Sequence, residues 1–210
     1  LGAAATAGTD DPKWDKGVQP FSGGKAGGGA LSFDGVNDYV DLQSYTNIIP
    51  SGATMWSVGL WVYVNSWSTD TYATGFYYEN TDGAGLNTKY LFRRDTGTGK
   101  LMAGYRNTDA GSLISLGSSA DSPTTKAWIY IINTVDTVTG ISRFYINGIK
   151  SGADQSFTPG SAIGPSNVNK QKNIGAIQRT VSNYQGFING LIDEVRIYNR
   201  ALSATEISYQ

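Results

Sequence analysis

One turn of the chain, Asp34-Gly35-Val36-Asn37-Asp38, packs three oxygen-bearing side chains into five residues. Calcium is the cation such a turn suits, because it takes six to eight oxygens from carboxylates, amides and carbonyls. The plain alternative is that Asp and Asn sit there to satisfy loop amides. A second chemistry is carried by aromatic residues. Trp67, Tyr72, Tyr77 and Tyr78 lie in or near stretches rich in Asn, Thr and Asp, Tyr105 precedes Arg106 and Asn107, and Tyr184 stands between Asn183 and Gln185. Aromatic faces beside amides and carboxylates are what a sugar needs, apolar on one side and hydrogen-bonding at its edge. A β-sandwich also uses Tyr and Trp for cross-strand packing, and that competes with ligand contact at each position.

Catalytic constellations are missing. The chain has no His and no Cys, which excludes Ser–His–Asp triads, thiolate nucleophiles and His- or Cys-ligated zinc. Glycoside hydrolysis needs two carboxylates flanking one bond. Asp193-Glu194 is the closest pair, but neighbours on a strand point to opposite faces. Glu79 and Asp82 straddle a turn. The expectation is a chain that is not an enzyme. Net charge is −1, from 16 basic and 17 acidic residues. The basic doublets, Arg93-Arg94 and Lys170-Gln171-Lys172, read as solvated, so no cluster addresses nucleic acid. Apolar runs fall far short of the ~20 residues of a membrane span. The opening Leu1-Gly2-Ala3-Ala4-Ala5 reads as a mature or excised start and not a signal peptide, which leaves room for an upstream signal, anchor or partner domain.

Elements of the right kind surround these residues. Charged residues make up 16% of the chain and Gly numbers 27, a mix that suits short strands and tight turns and disfavours long helices. Residues 1–20 read as a linker or peripheral arm. Strands are expected at 30–33 and 39–42. The strongest runs from Met55 to Val64, with Trp56, Val58, Leu60, Val62 and Val64 on one face and Trp61 and Tyr63 on the other. Residues 65–88 read as loop with one strand at 76–78. Further strands are expected at 90–93, 100–105, 113–116, 128–135, 141–146, 172–177 and 186–199. Residues 151–170 read as a long polar loop. Asn147-Gly148 is the strongest short hairpin signal, because a type I′ turn needs positive φ twice. Ser203-Ala204-Thr205-Glu206 has the form of a capping box on one short terminal helix. About twelve strands without intervening helices predict an all-β, antiparallel two-sheet sandwich.

Four stretches in order then resemble the laminin-G-like jelly-roll domains of the concanavalin A-like lectin/glucanase superfamily. They are residues 30–40 (ALSFDGVNDYV), residues 56–62 (WSVGLWV), Trp128 with Asp136, Gly140 and residues 144–148 (FYING), and residues 190–203 (GLIDEVRIYNRALS). The similarity spans about residues 21–208 and defines a domain at 21–210. It implies a jelly-roll sandwich with Trp56, Trp61 and Trp128 in the core. It also implies a structural calcium held by Asp34, the Gly35 carbonyl and Asp193, with Asn37 and Asp38 as additional ligands. The family context implies an extracellular or cell-surface, non-catalytic module that binds carbohydrate. The alternative is a structural or adhesion domain of a surface filament, spike or larger chain, with surface proteins or further domains as partners. Neither reading involves nucleic acid or membrane insertion by this segment.

Overall fold

A computed structural model of the chain describes residues 13–15, 24–25, 29–70, 73–80, 88–108, 111–165, 172–180 and 183–210. Two antiparallel sheets stack face to face. The larger, eight-stranded sheet runs β1 (Lys13–Asp15), β2 (Ala30–Asp34), β16 (Asn189–Tyr198), β4 (Met55–Ser66), β9 (Trp128–Asp136), β10 (Ile141–Ile146) and β11 (Ile149–Lys150), with β12 (Gln155–Ser156) also paired to β10. The six-stranded sheet runs β3 (Val40–Asp41), β13 (Lys172–Ile174), β5 (Ala73–Asn80), β6 (Thr88–Asp95), β7 (Leu101–Tyr105) and β8 (Ile114–Ser118). A separate hairpin joins β14 (Ile177–Thr180) to β15 (Asn183–Gln185), and α1 (Ala204–Ser208) follows the last strand. Strand order departs from chain order in both sheets, as a jelly roll requires. Within the stretch read as an arm, Lys13–Asp15 pairs with Ala30–Ser32.

Period-two alternation builds the core. Trp56, Val58, Leu60, Val62 and Val64 point inward from β4 and are fully buried. Phe76, Tyr90, Phe92, Leu101 and Tyr105 meet them from the other sheet. The Trp56 ring packs edge-on against Tyr105 and Tyr90, with centroids 5.3 and 5.9 Å away. Burying each such side chain contributes about 1.5–3 kcal/mol.

The other face of β4 behaves differently. Trp61 and Trp128, expected in the core, are only half-buried on the outer face of the eight-stranded sheet. Alternation from Trp56 forces this, because an odd step along a strand reverses the face. Part of that outer face is covered by α1. Its capping box forms as expected, with Ser203 bonded to the Glu206 amide and Glu206 reaching back. The helix thereby lowers Ile207 onto Tyr130, Ile132, Tyr145 and Leu202.

Loop 65–88 is shorter than its composition implies. The strand β4 continues to Ser66, and β5 spans eight residues that are all buried. Lys89 and Glu79 lie fully buried there, 3.3 Å apart. The Lys89 ammonium also donates to Asn47 Oδ1 and the Ile49 carbonyl, while Glu79 accepts from Tyr77 Oη. This network anchors the loop at 42–54 to β5 and β6. Lys172, read as solvated, is buried opposite Glu79. Arg94 is half-buried with its guanidinium 4.7 Å from the Trp67 ring centroid, and Arg93 reaches Asp95 at 3.7 Å. Asn147-Gly148 makes the expected turn, with φ of 51° and 79°. Lys170 and Gln171 lie outside the described residues.

Candidate functional site

Strand pairing fixes a row of side chains across the six-stranded sheet. Asp41 on β3 stands opposite Asn173 on β13, which stands opposite Tyr78 on β5, which stands opposite Leu91 on β6. Directly paired residues share a face. Tyr78 and Leu91 cluster with Ala73 and Ile177, apart from the main core, so the row faces outward. The β14–β15 hairpin folds over this face. Gly75 makes room for it, since a Cβ there would stand 2.6 Å from the Ala176 carbonyl carbon and from Ile177.

From the hairpin, Tyr184 stacks on Tyr39 with centroids 4.2 Å apart and planes at 18°. Burial raises the Tyr184 pKa well above that of a free phenol, and the Tyr39 hydroxyl, Asp41 and Tyr78 push the same way. Tyr184 therefore stays a neutral phenol at physiological pH. Asn173 is buried, and its Nδ2 donates to the Ala176 carbonyl at 2.5 Å. Its Oδ1 is buried with no donor among the described residues, and so is Gln185 Oε1. A buried acceptor without a partner is costly and rare, so each oxygen is a position that a further donor would satisfy. The face thus presents an aromatic pair and a carboxylate, with two buried acceptor oxygens close by that have no donor among the described residues.

The sequence-derived aromatics divide. Tyr184 belongs to this face. Tyr78 does too, but it lies beneath the hairpin, 2% exposed, with Oη bonded to Asn80. Tyr77 and Tyr105 are core residues with no exposed surface, which corrects their reading as ligand contacts. Tyr77 donates to Glu79, and burial, reinforced by that carboxylate, raises its pKa. Tyr105 donates to the Ser161 carbonyl, and burial pushes its pKa up to about 12. Trp67 is half-buried and lines a polar cleft of about 250 Å³ with Gly35, Ser68, Asp70 and Asn189. Tyr72 lies outside the described residues. Tyr39, Asp41, Asn173 and Gln185 escaped the sequence reading. An Asn inside the Lys-Asn-Ile strand was the one available signal, because strand interiors disfavour Asn.

The expected calcium ligands also divide. Asp34 Oδ1 accepts from the amides of Val36 and Asn37, and Asp38 Oδ2 accepts from the Asp34 amide. These atoms close the turn on itself. Opposite Asp34 stands Asn189, four residues from Asp193, or roughly 13 Å along a strand. Asp34, Gly35, Asn37 and Asp38 therefore do not share one site with Asp193. Asp193 instead approaches the glycine-rich segment. Its Oδ2 lies 2.6 Å from where a Gly24 Cβ would stand, and the Gly29 carbonyl oxygen closes on the same point. That crowding leaves no room for a side chain at position 24, and it brings near each other two oxygens of the kind calcium takes, out of the six to eight it needs. Among the described residues, no group of three acidic side chains gathers to hold a metal.

This architecture has known relatives. The carbohydrate-binding module CBM40 of a Ruminococcus gnavus IT-sialidase, bound to α2,3-sialyllactose, superposes with a TM-score of 0.63 at 13% identity, over 86% of this chain and 95% of that one. Domain 4 of AbnA, an extracellular GH43 arabinanase from Geobacillus stearothermophilus in complex with arabinotriose, gives 0.55 at 22% identity, over 89% and 77%. A heptameric SAP-like pentraxin from Limulus polyphemus gives 0.59 at 15% identity, over 85% and 79%. No curated protein matches in sequence. At these identities the likeness is one of fold. The family model described as concanavalin A-like lectin/glucanases superfamily matches residues 33–208. The chain therefore belongs to the laminin-G-like family of that superfamily.

Proposed function

We propose that this domain is a non-catalytic, extracellular carbohydrate-binding module whose glycan seats on the outer face of the six-stranded sheet. The observation that carries the reading is the Tyr39–Tyr184 stack, with the buried oxygens of Asn173 and Gln185 beside it that have no donor among the described residues. A sugar supplies what that face lacks, hydroxyl donors on its edge and a C–H surface for an aromatic ring. The neighbours that carry arabinotriose and sialyllactose support the class of ligand. A calcium held by Asp193 and the Gly29 carbonyl would brace the start of β2 against β16, away from the sugar.

A glycan array followed by calorimetry tests the reading. Specific hits that Tyr184→Ala weakens by tenfold or more, with unchanged melting temperature, are the expected result. Absence of any glycan signal, together with concentration-dependent self-association, would move the assignment to an adhesion or structural tile.

A further inference from the structure

We propose that a second ligand site lies beside α1, on the outer face of the eight-stranded sheet, and that it takes a saccharide carrying a carboxylate. Two cavities of about 300 and 250 Å³ meet there, sharing Lys25, Trp61, Tyr130 and Gln210. Together they form one groove large enough for one or two sugar rings. Its floor is aromatic. The Trp61 and Tyr130 rings lie 5.4 Å apart, with Trp128 beside them.

Two independent features mark the groove as built. Tyr130 is 2% exposed, yet its Oη has no hydrogen-bond partner among the described residues. Its phenol is a neutral donor waiting for an acceptor. On the opposite wall, β16 breaks register between Asp193 and Arg196, and Glu194 takes the left-handed φ of 49°. A bulge with a strained non-glycine residue re-aims side chains, and such strain gathers where a site needs it. Here it points Glu194 and Arg196 into the groove.

Charge selects the ligand class. Arg196 is occupied, with Nε and Nη2 on Glu194 Oε2 and Nη1 on Gln210 Oε1. Lys25 is exposed, and its ammonium stands 4.6 Å from the Trp61 ring centroid. No carboxylate pairs with it among the described residues. The groove therefore carries one uncompensated positive charge, held in place over an aromatic floor. A ligand carboxylate meets Lys25, its ring lies against Trp128, and hydroxyls reach Tyr130 Oη. Asn147 contributes as well, because its Oδ1 is held by the Tyr130 amide and its Nδ2 is left to donate.

The test is titration calorimetry with a short oligogalacturonide against a neutral galacto-oligosaccharide of equal length. Wild type, Lys25→Gln, Tyr130→Phe and Tyr184→Ala are compared at low and high salt. Lys25 is exposed, so its variant keeps the fold. The acidic probe is expected to bind about tenfold more tightly than the neutral one and to lose that margin in Lys25→Gln. Salt weakens it, Tyr130→Phe weakens it severalfold, and Tyr184→Ala leaves it unchanged. The proposal is overturned if the acidic probe does not bind, if the neutral probe binds equally, or if Lys25→Gln binds like wild type. Loss of binding in Tyr184→Ala would also overturn it, by assigning the ligand to the six-stranded face. The proposed function survives each of these outcomes.

Discussion

Lys89→Met is the substitution with the most calculable effect. It removes the ammonium that sits 3.3 Å from Glu79, where both side chains have no exposed surface. Breaking a buried pair by deleting one partner costs about 3–5 kcal/mol, because the surviving charge stays desolvated. Lys172 remains on the neighbouring strand opposite Glu79, which places the cost near about 3 kcal/mol. Glu79→Gln removes the carboxylate charge that Lys89 faces while its amide oxygen can still accept from the Tyr77 hydroxyl, so it too should destabilise, through the lost charge. Against a typical stability of about 5–15 kcal/mol, either loss is large. For a domain of this size each kcal/mol moves the melting temperature by about 2–4 °C, so Lys89→Met should fall by roughly 10 °C. Urea denaturation followed by tryptophan fluorescence measures both variants. The double variant Lys89→Met/Glu79→Leu should lose less than the two single variants added together, because it removes both charges of the pair, although Lys172 stays buried opposite position 79. The reasoning fails if Lys89→Met costs under 1 kcal/mol, or if the double variant is as unstable as the single ones added together.

Three further outcomes follow from the same geometry. Asp193→Asn should abolish a calcium-dependent rise in melting temperature that wild type shows after EDTA treatment, whereas Asp34→Asn should retain it; a wild type indifferent to calcium would refute a metal at Asp193. Gly59→Ala should destabilise by about 1–3 kcal/mol, because its Cβ would fall 2.5 Å from Tyr130 Oη, at the end of a ring that cannot bend away. The Asp154 carboxyl is held below the usual carboxylate range, first by the Arg143 hydrogen bond and then by that of Lys150. Its contribution is present above the ordinary carboxylate pKa of about 3.9 and is lost as pH falls through the lowered value. Solvent screening keeps it small. A carboxyl NMR titration should give a midpoint below about 3.9 that returns toward it in Arg143→Leu.

What the sequence disclosed is what local chemistry controls. Met55 to Val64 alternates cleanly, Asn147-Gly148 can form one kind of turn, and Ser203 to Glu206 caps itself, so each was legible within a few residues. Ala73–Asn80 was not, because a strand buried on both faces has no alternation to read and its buried Glu79 looks like surface until Lys89 is placed beside it. The site suffered more. Asp41, Asn173 and Tyr78 form a row only through pairings among three strands far apart in the chain. Tyr77 and Tyr78 are adjacent and chemically alike, yet one lies in the core and the other on the outer face. The calcium reading joined the Asp34–Asp38 turn to Asp193, and pairing separates them, because register sets Asn189 opposite the turn.

The pairing of β2 with β16 has a consequence for how the molecule comes into being. Leu31 meets Ile192 across that ladder, with about 160 residues of chain between them. Closing so long a loop is entropically expensive, and contacts of this kind slow folding. In chain order β1 and β2 come long before β16, so the β2–β16 ladder can form only after β16 has been made. In the finished sheet β16 lies between β4 and β2, so β2 joins the rest of the sheet only through β16. Until that moment Phe33 has no strand to hold it, and the cradle at Gly24, Gly29 and Asp193 does not exist. Any cation bound there would reward only the finished sheet.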